Sequence, residues 1–112
     1  MVSKLQSEAI FVKFLLQADS KQAKAVLKVL STKQCQAIQE IFLNIVNSNI
    51  SFTPKVTSSL YRYKKIIKQI SIKTGVHNKI KLIQKKAPII LNILKHCKTF
   101  IYKALEINKL ND

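Results

Sequence analysis

Apolar residues recur every three or four positions along most of this chain, the spacing that places side chains on one face of an α-helix. Ser3 and Gln6 have the spacing of a capping box, in which two side chains bond each other's backbone N–H groups at a helix start. The pattern predicts a first helix over about residues 4–17. Its apolar stripe comprises Leu5, Ala9, Val12 and Leu16.

Two further stripes follow residues of types that commonly cap helices. Asp19 or Ser20 precedes a short second helix, whose stripe is Ala23, Val26, Leu27 and Leu30. Ser31 and Gln34 repeat the capping-box spacing before a third helix, and Leu30 is placed to pack on Cys35 in the first turns of that helix. The third stripe, which we expect in the core, comprises Ile38, Ile41, Phe42, Ile45 and Val46.

A fourth helix is predicted over about residues 54–73, because Thr53 and Pro54 form a cap followed by a first-turn proline. Its apolar side contains Val56, Leu60, Tyr63, Ile67 and Ile70, and its charged residues lie on the other side. Gly75 suits the left-handed conformation that ends a helix. We expect residues 76–78 to form the following turn.

The last third of the chain predicts a short basic helix at 79–86, interrupted before Pro88, and then a longer apolar helix. The stripe of the longer helix has the seam spacing of helices that pack lengthwise, and it comprises Ile90, Leu94, Cys97, Ile101 and Ala104. This stripe fits either internal core, which we favour, or a dimer face. The whole pattern predicts an all-α protein, a compact bundle of five to six helices in one domain over residues 1–112.

Charge is distributed unevenly along this helical pattern. The chain has 20 basic residues and five acids, a net charge of +15, while apolar residues at 47% are sufficient for a folded core. Residues 54–112 contain 14 of the basic residues, and no acid occurs from Ile41 through Leu105. An A·T-rich genome could enrich lysine codons without selection, but such a bias does not explain one-sided placement. A polyanionic partner would relieve the self-repulsion.

Residues suited to catalysis or metal binding are sparse. The acids are scattered, His77 lies in the predicted turn, and no glycine-rich loop could hold a nucleotide phosphate. The two cysteines, Cys35 and Cys97, fall in apolar stripes without ligands nearby at metal-binding spacing, so we expect buried free thiols. The sequence indicates a non-enzymatic protein without cofactor or metal, not secreted, and without a transmembrane helix.

The basic residues of 54–103 are the candidate binding face. Lysine carries a point charge without the planar fork of arginine, so we expect contacts with backbone phosphate and little reading of base sequence. Tyr61 lies on the charged side, where it could stack on a base or sugar. The alternative is that these lysines form a solvated helix surface that binds no ligand. The candidate residues are Lys55, Tyr61, Arg62, Lys64, Lys65, Lys68, Lys73, Lys79, Lys81, Lys85 and Lys86.

Several of these segments resemble a family of small basic proteins of Polinton/Maverick-type DNA transposons and adintoviruses. Residues 30–34 (LSTKQ), 37–41 (AIQEI) and 44–46 (NIV) are similar to its helix of the type K-x-x-Q-x-x-A-L-x-E-I-x-x-N-V-L. Residues 52–54 (FTP) resemble its L-S-P helix start, and 60–65 (LYRYKK) its L-x-R-Y-K-K block.

The basic run at 79–86 occupies the place of that family's second basic run, so the resemblance covers about residues 11–86. The chain departs from the family after Lys86, where a glycine-rich step is common and this sequence has Ala87 and Pro88. The resemblance implies a viral or transposon protein made with capsid genes and located in the virion or host nucleus. None of the motifs is catalytic.

Three partner classes follow from these observations. We favour nucleic acid, expected to be double-stranded DNA. A scaffold function would use a homo-oligomer or an acidic capsid partner, with contacts through Ile90, Leu94, Cys97 and Ile101. A third class, association with anionic membranes through 89–105, is the least favoured.

Overall fold

Helices form nearly all of the chain that the computed structural model describes, residues 4–47, 54–72 and 75–111, with side chains described to residue 105. The all-α prediction is confirmed. Nine helices occur in these ranges instead of five to six. They are α1 (Lys4–Ser7), α2 (Ala9–Gln17), α3 (Ser20–Leu27), α4 (Thr32–Val46), α5 (Pro54–Tyr61), α6 (Lys64–Ser71), α7 (Val76–Lys85), α8 (Ala87–His96) and α9 (Lys98–Asn111).

The higher number arises because three predicted helices are each interrupted by a tight turn. The turns lie at Glu8, at Arg62 and Tyr63, and at Cys97. At the second turn the Tyr63 N–H donates to the Leu60 carbonyl at 2.9 Å, a three-residue bond that tightens the backbone without reversing it. Apolar spacing therefore continues across each turn, and hydrophobic periodicity alone could not reveal the interruptions.

The predicted capping box at Ser31 is confirmed, and Asp19, predicted as one of two possible caps, forms a second box. Gln22 N–H donates to the Asp19 carboxylate at 2.8 Å, and Gln34 N–H donates to the Ser31 hydroxyl at 3.1 Å, with the reciprocal bond present in each case. The other predicted box involves Ser3, which lies outside the described residues. The N–H of Leu5 in α1 donates to the carboxylate of Glu40 in α4.

Gly75 adopts the predicted left-handed conformation, with φ +68°. It stands directly before α7, whose first turn closes with a 3.0 Å bond from the Lys79 N–H to the Gly75 carbonyl. The prediction of a turn at 76–78 was therefore wrong. A single left-handed glycine redirects the chain sharply enough for a helix to begin at the next residue.

Helix α4 occupies the centre of the core. Its residues Ala37, Ile38 and Phe42 are 0% exposed, and α1, α2, α6 and α7 pack around it. The radius of gyration is 13.1 Å, the value of about 13 Å expected for a compact chain of this length. Each predicted stripe contributes to one buried cluster, although Val46 is 39% exposed.

A buried amide ties α4 to the end of α6. The Gln39 side chain donates from Nε2 to the Ile72 carbonyl at 2.8 Å and to the Ser71 carbonyl at 3.5 Å. These carbonyls lie past the last intrahelical bonds of α6, where backbone acceptors need an outside donor. Gln39 therefore fixes the position at which α6 ends against the core.

Replacing Gln39 with alanine is expected to lower the free energy of unfolding by about 1–3 kcal/mol, because buried carbonyls lose their donor. Urea denaturation followed by circular dichroism measures this loss. Gln36→Ala, on the same helix and only half-buried, is the control. Equal stability of the two variants would contradict this function of Gln39.

Both cysteines are free and buried, as predicted. Burial raises the pKa of the Cys97 thiol to about 12 from its usual 9.0. Because the folded state holds this proton more tightly than the unfolded chain, the contribution to stability is complete below about pH 9 and is lost as the pH rises toward 12.

Cys97→Ala should therefore show a shallower fall in unfolding free energy between pH 9 and 12 than the unsubstituted protein, even if it is less stable throughout. The expected difference in this fall is a few kcal/mol, at about 1.4 kcal/mol per pKa unit. Denaturant titrations at a series of pH values measure both slopes. Parallel slopes would show that Cys97 does not contribute.

Candidate nucleic-acid interface

Helices α5 and α6 separate their residues into an apolar inner side and a basic outer side. Leu60, Ile67 and Ile70 are buried, and Val56 and Tyr63 are half-buried. The turn between the helices keeps both basic sides outward. Exposed on this surface are Lys55, Tyr61, Arg62, Lys64, Lys65 and Lys68, while Lys73 lies outside the described residues.

Helix α7 exposes only part of its predicted basic run. Lys81 and Lys85, four positions apart, are exposed, and Lys86 is half-buried at the bend before α8. Lys79 is only 4% exposed, so its prediction as a binding residue was wrong. The reason is periodicity: Lys79 stands four positions before Ile83, which is 0% exposed, and shares its inward side.

The buried Lys79 is electrically unusual. Its ammonium nitrogen has no hydrogen-bond partner among the described residues. Burial lowers the pKa of Lys79, and interaction with Cys35 of α4 raises it in part. Burial likewise raises the pKa of Cys35, against a lowering by Lys79. A positive charge at this buried position opposes folding.

Helices α6 and α7 are neighbours on α4 and form the two walls of a crevice of about 270 Å³. Gln69 and Ile72 line one wall, Asn78, Lys79 and Leu82 line the other, and Gly75 also borders the crevice. On α6, Lys65 precedes Gln69 by four residues, and on α7, Lys81 follows Asn78 by three. Helical periodicity therefore places each of these exposed lysines on the same side of its helix as a residue that lines the crevice.

One lysine from the N-terminal half of the chain is bonded to α7 through its backbone. The Gln84 side chain of α7 donates to the Lys28 carbonyl at 2.9 Å. Lys81, three residues before Gln84, therefore lies near Lys28, whose side chain is exposed. Nothing in the sequence predicts the contact between Gln84 and Lys28, because these two residues are 56 positions apart along the chain.

A second groove, of about 240 Å³, lies where the end of α4 meets α5 and α6. Tyr61 at its edge is 74% exposed, and the Lys64 ammonium lies 5.6 Å from the centre of the tyrosine ring, a cation–π distance. The groove combines an apolar floor with two lysines. Its lining residues are Ile45, Val46, Thr57, Leu60, Tyr61, Lys64, Ile67 and Lys68.

The stripe proposed as a possible contact with another chain is part of the core. Ile90 is 0% exposed, and Leu94, Cys97 and Ile101 are each 1% exposed. The dimer-face alternative at these residues was therefore wrong, because they pack inside a single chain. The apolar side of the 89–105 segment, considered for membrane contact, is largely buried as well.

Groups suited to catalysis or metal binding do not cluster in the described part of the chain. No three histidine, cysteine or acidic side chains lie close enough there to hold a metal ion. His77 and His96 are exposed on different helices. Within the same residues, no helix is long and apolar enough to cross a bilayer.

Comparisons with family models, with curated proteins and with solved structures find no match. The resemblance to the transposon and adintovirus proteins therefore depends on the sequence motifs alone. The arrangement of side chains is the basis for a functional proposal. It consists of exposed lysines on α5, α6 and α7, a groove with an aromatic edge, and one lysine withdrawn into the core.

Substituting Lys79 and Lys81 of α7 one at a time compares the effect of a buried charge on stability with that of an exposed charge. Lys79→Met should raise the unfolding free energy by about 1 kcal/mol or more, because it removes an unpaired buried charge. The gain should be largest near neutral pH and shrink as the pH approaches 10.5, where the lysine loses its proton in the unfolded chain too. Thermal and denaturant unfolding measure it.

Lys81→Met is the matched control, with the same change of residue at an exposed position two residues away. It should leave stability nearly unchanged. A Lys79→Met protein that is less stable than Lys81→Met would contradict the assignment of Lys79 as an unfavourable buried charge.

Proposed function

We propose that this protein binds the phosphate backbone of nucleic acid without strong sequence preference and is not an enzyme. The observation that carries the proposal is the surface of α5, α6 and α7. It exposes seven basic side chains among the described residues, in a stretch, 41–105, that contains no acid. A surface of one sign in this density attracts a polyanion and repels other cations.

The kind of basic residue supports backbone contact. Arg62 is the one arginine of the chain, and the other exposed cations are lysines. Specific reading of guanine edges relies mainly on bidentate arginine, whereas lysine ammonium groups neutralise phosphates without fixed geometry. Double-stranded DNA is the proposed partner, since its two strands present closely spaced phosphates along the whole surface.

The biological setting belongs to the same proposal. The resemblance to proteins of Polinton-type transposons and adintoviruses favours a genome-associated protein of the virion core, located in the virion or host nucleus. Binding without sequence preference suits such a function, because packaging or neutralising a genome requires contact with every stretch of it. A scaffold partner in the capsid is a weaker proposal, since the residues first suggested for it are buried.

The test is a set of DNA-binding titrations at several salt concentrations with unrelated duplex sequences. Affinity should fall with salt, with a logarithmic slope of about −0.9 for each phosphate neutralised, and should vary little with sequence. Lys64→Glu combined with Lys65→Glu should weaken binding and reduce the slope by about two. Both lysines are exposed on α6, so the fold should persist.

The matched control reverses two exposed lysines outside the predicted surface, Lys13 of α2 and Lys21 of α3, so that net charge changes equally. Binding should weaken much less in the control. The proposal fails if both double variants behave alike, or if neither heparin nor DNA retains the unsubstituted protein at low ionic strength. Retention by anionic vesicles without DNA binding would also contradict it.

A further inference from the structure

The groove between the end of α4 and helices α5 and α6 differs chemically from the lysine surface around it. Its floor is formed by Ile45, Leu60 and Ile67, which are between 4% and 8% exposed. A phosphate group would lose its hydration against such a floor without gaining a donor there. The groove therefore suits an uncharged, largely apolar group carried by an anionic chain.

Tyr61 gives the groove an aromatic edge. At 74% exposure its ring is largely accessible, and the Lys64 ammonium 5.6 Å from the ring centre covers it only in part. The cation–π contact restrains the ring without burying it. An exposed aromatic ring flanked by ammonium groups is the combination by which proteins hold single-stranded nucleic acid, with bases on the ring and phosphates on the cations.

Size limits what the groove can hold. Its volume of about 240 Å³ lies below the range of about 300–1,000 Å³ for pockets that enclose drug-sized ligands. One planar base fits this scale, and Lys64 and Lys68, which line the groove, could contact the phosphates next to that base. A base within a duplex is paired and stacked and cannot enter without being flipped out.

We propose that the groove edged by Tyr61 holds one unpaired base, so that the protein prefers single-stranded or locally opened nucleic acid to intact duplex. This inference rests on the proposed function and deepens it, because the surrounding lysines supply the phosphate contacts. The duplex is bound through the lysine surface alone. A single strand gains the stacking contact in addition.

The experiment compares the affinity of a labelled thymidine oligonucleotide with that of a duplex of equal length at one low salt concentration, by fluorescence anisotropy. Tyr61→Leu removes the ring but keeps an apolar side chain, and Tyr61→Phe keeps the ring. Tyr61→Leu should lower single-strand affinity about fivefold or more and lower duplex affinity much less. Tyr61→Phe should retain the affinity of the unsubstituted protein for both.

A second measurement reports contact directly. The chain has no tryptophan, so its intrinsic emission comes from three tyrosines, Tyr61, Tyr63 and Tyr102. Single-strand binding should quench this emission through stacking on Tyr61, and the quenching should disappear in Tyr61→Phe although binding persists. Circular dichroism of each variant confirms the fold, which an exposed position should not disturb.

The outcomes separate this inference from the proposed function. Equal affinity for both nucleic acids, unaffected by Tyr61→Leu, would overturn the inference and leave the backbone-binding proposal standing. Failure of both nucleic acids to bind at low salt would overturn both. Binding of an acidic amphipathic peptide that depends on Tyr61, with single-strand affinity independent of Tyr61, would identify the groove as a protein-docking site and overturn the inference.

Discussion

Burial of α4 is the constraint on which the rest of the molecule depends. Ala37, Ile38 and Phe42 are removed from water because α1, α2, α6 and α7 surround this helix. Apolar surface buried in this way stabilises a fold by roughly 25 cal/mol per Å². Once α6 and α7 turn their isoleucines toward α4, the helical period leaves most of their lysines on the opposite side. Packing of the core thus determines where the positive charge is displayed.

At Lys79 the packing of the core conflicts with the hydration of a charged side chain. Its position on α7 belongs to the inward side, so the packing that exposes Lys81 and Lys85 also withdraws Lys79 from water. A buried amine reduces this cost by holding its proton less tightly, which is the direction of the Lys79 pKa. Regular helix geometry thus prevails over the hydration of a single ammonium group.

Periodicity and capping chemistry were sufficient to predict the helical class, the stripes of α3 and α4, and the left-handed Gly75. They could not predict the interruptions at Glu8, Tyr63 and Cys97, because a tight turn preserves apolar spacing on both sides. Of the candidate site, the residues on α5 and α6 are exposed as predicted. The prediction for Lys79 was wrong because the basic run was assigned to the surface as a whole, although Lys79 lies on the same side of α7 as the buried Ile83. The tyrosine-edged groove depends on Ile45 and Val46 of α4, which only tertiary packing brings beside Tyr61.

The bond from Gln84 to the Lys28 carbonyl has a consequence for any linear copy of the basic region. A synthetic peptide of 54–86 would contain Lys79 as a fully hydrated cation and would lack Lys28 altogether. The folded molecule does the opposite, because it buries Lys79 and exposes Lys28. Its electrostatic footprint is therefore conformational, in the sense that immunologists use for epitopes assembled from distant segments. Unfolding would change which cations are displayed, although the formal charge of the polypeptide stays the same.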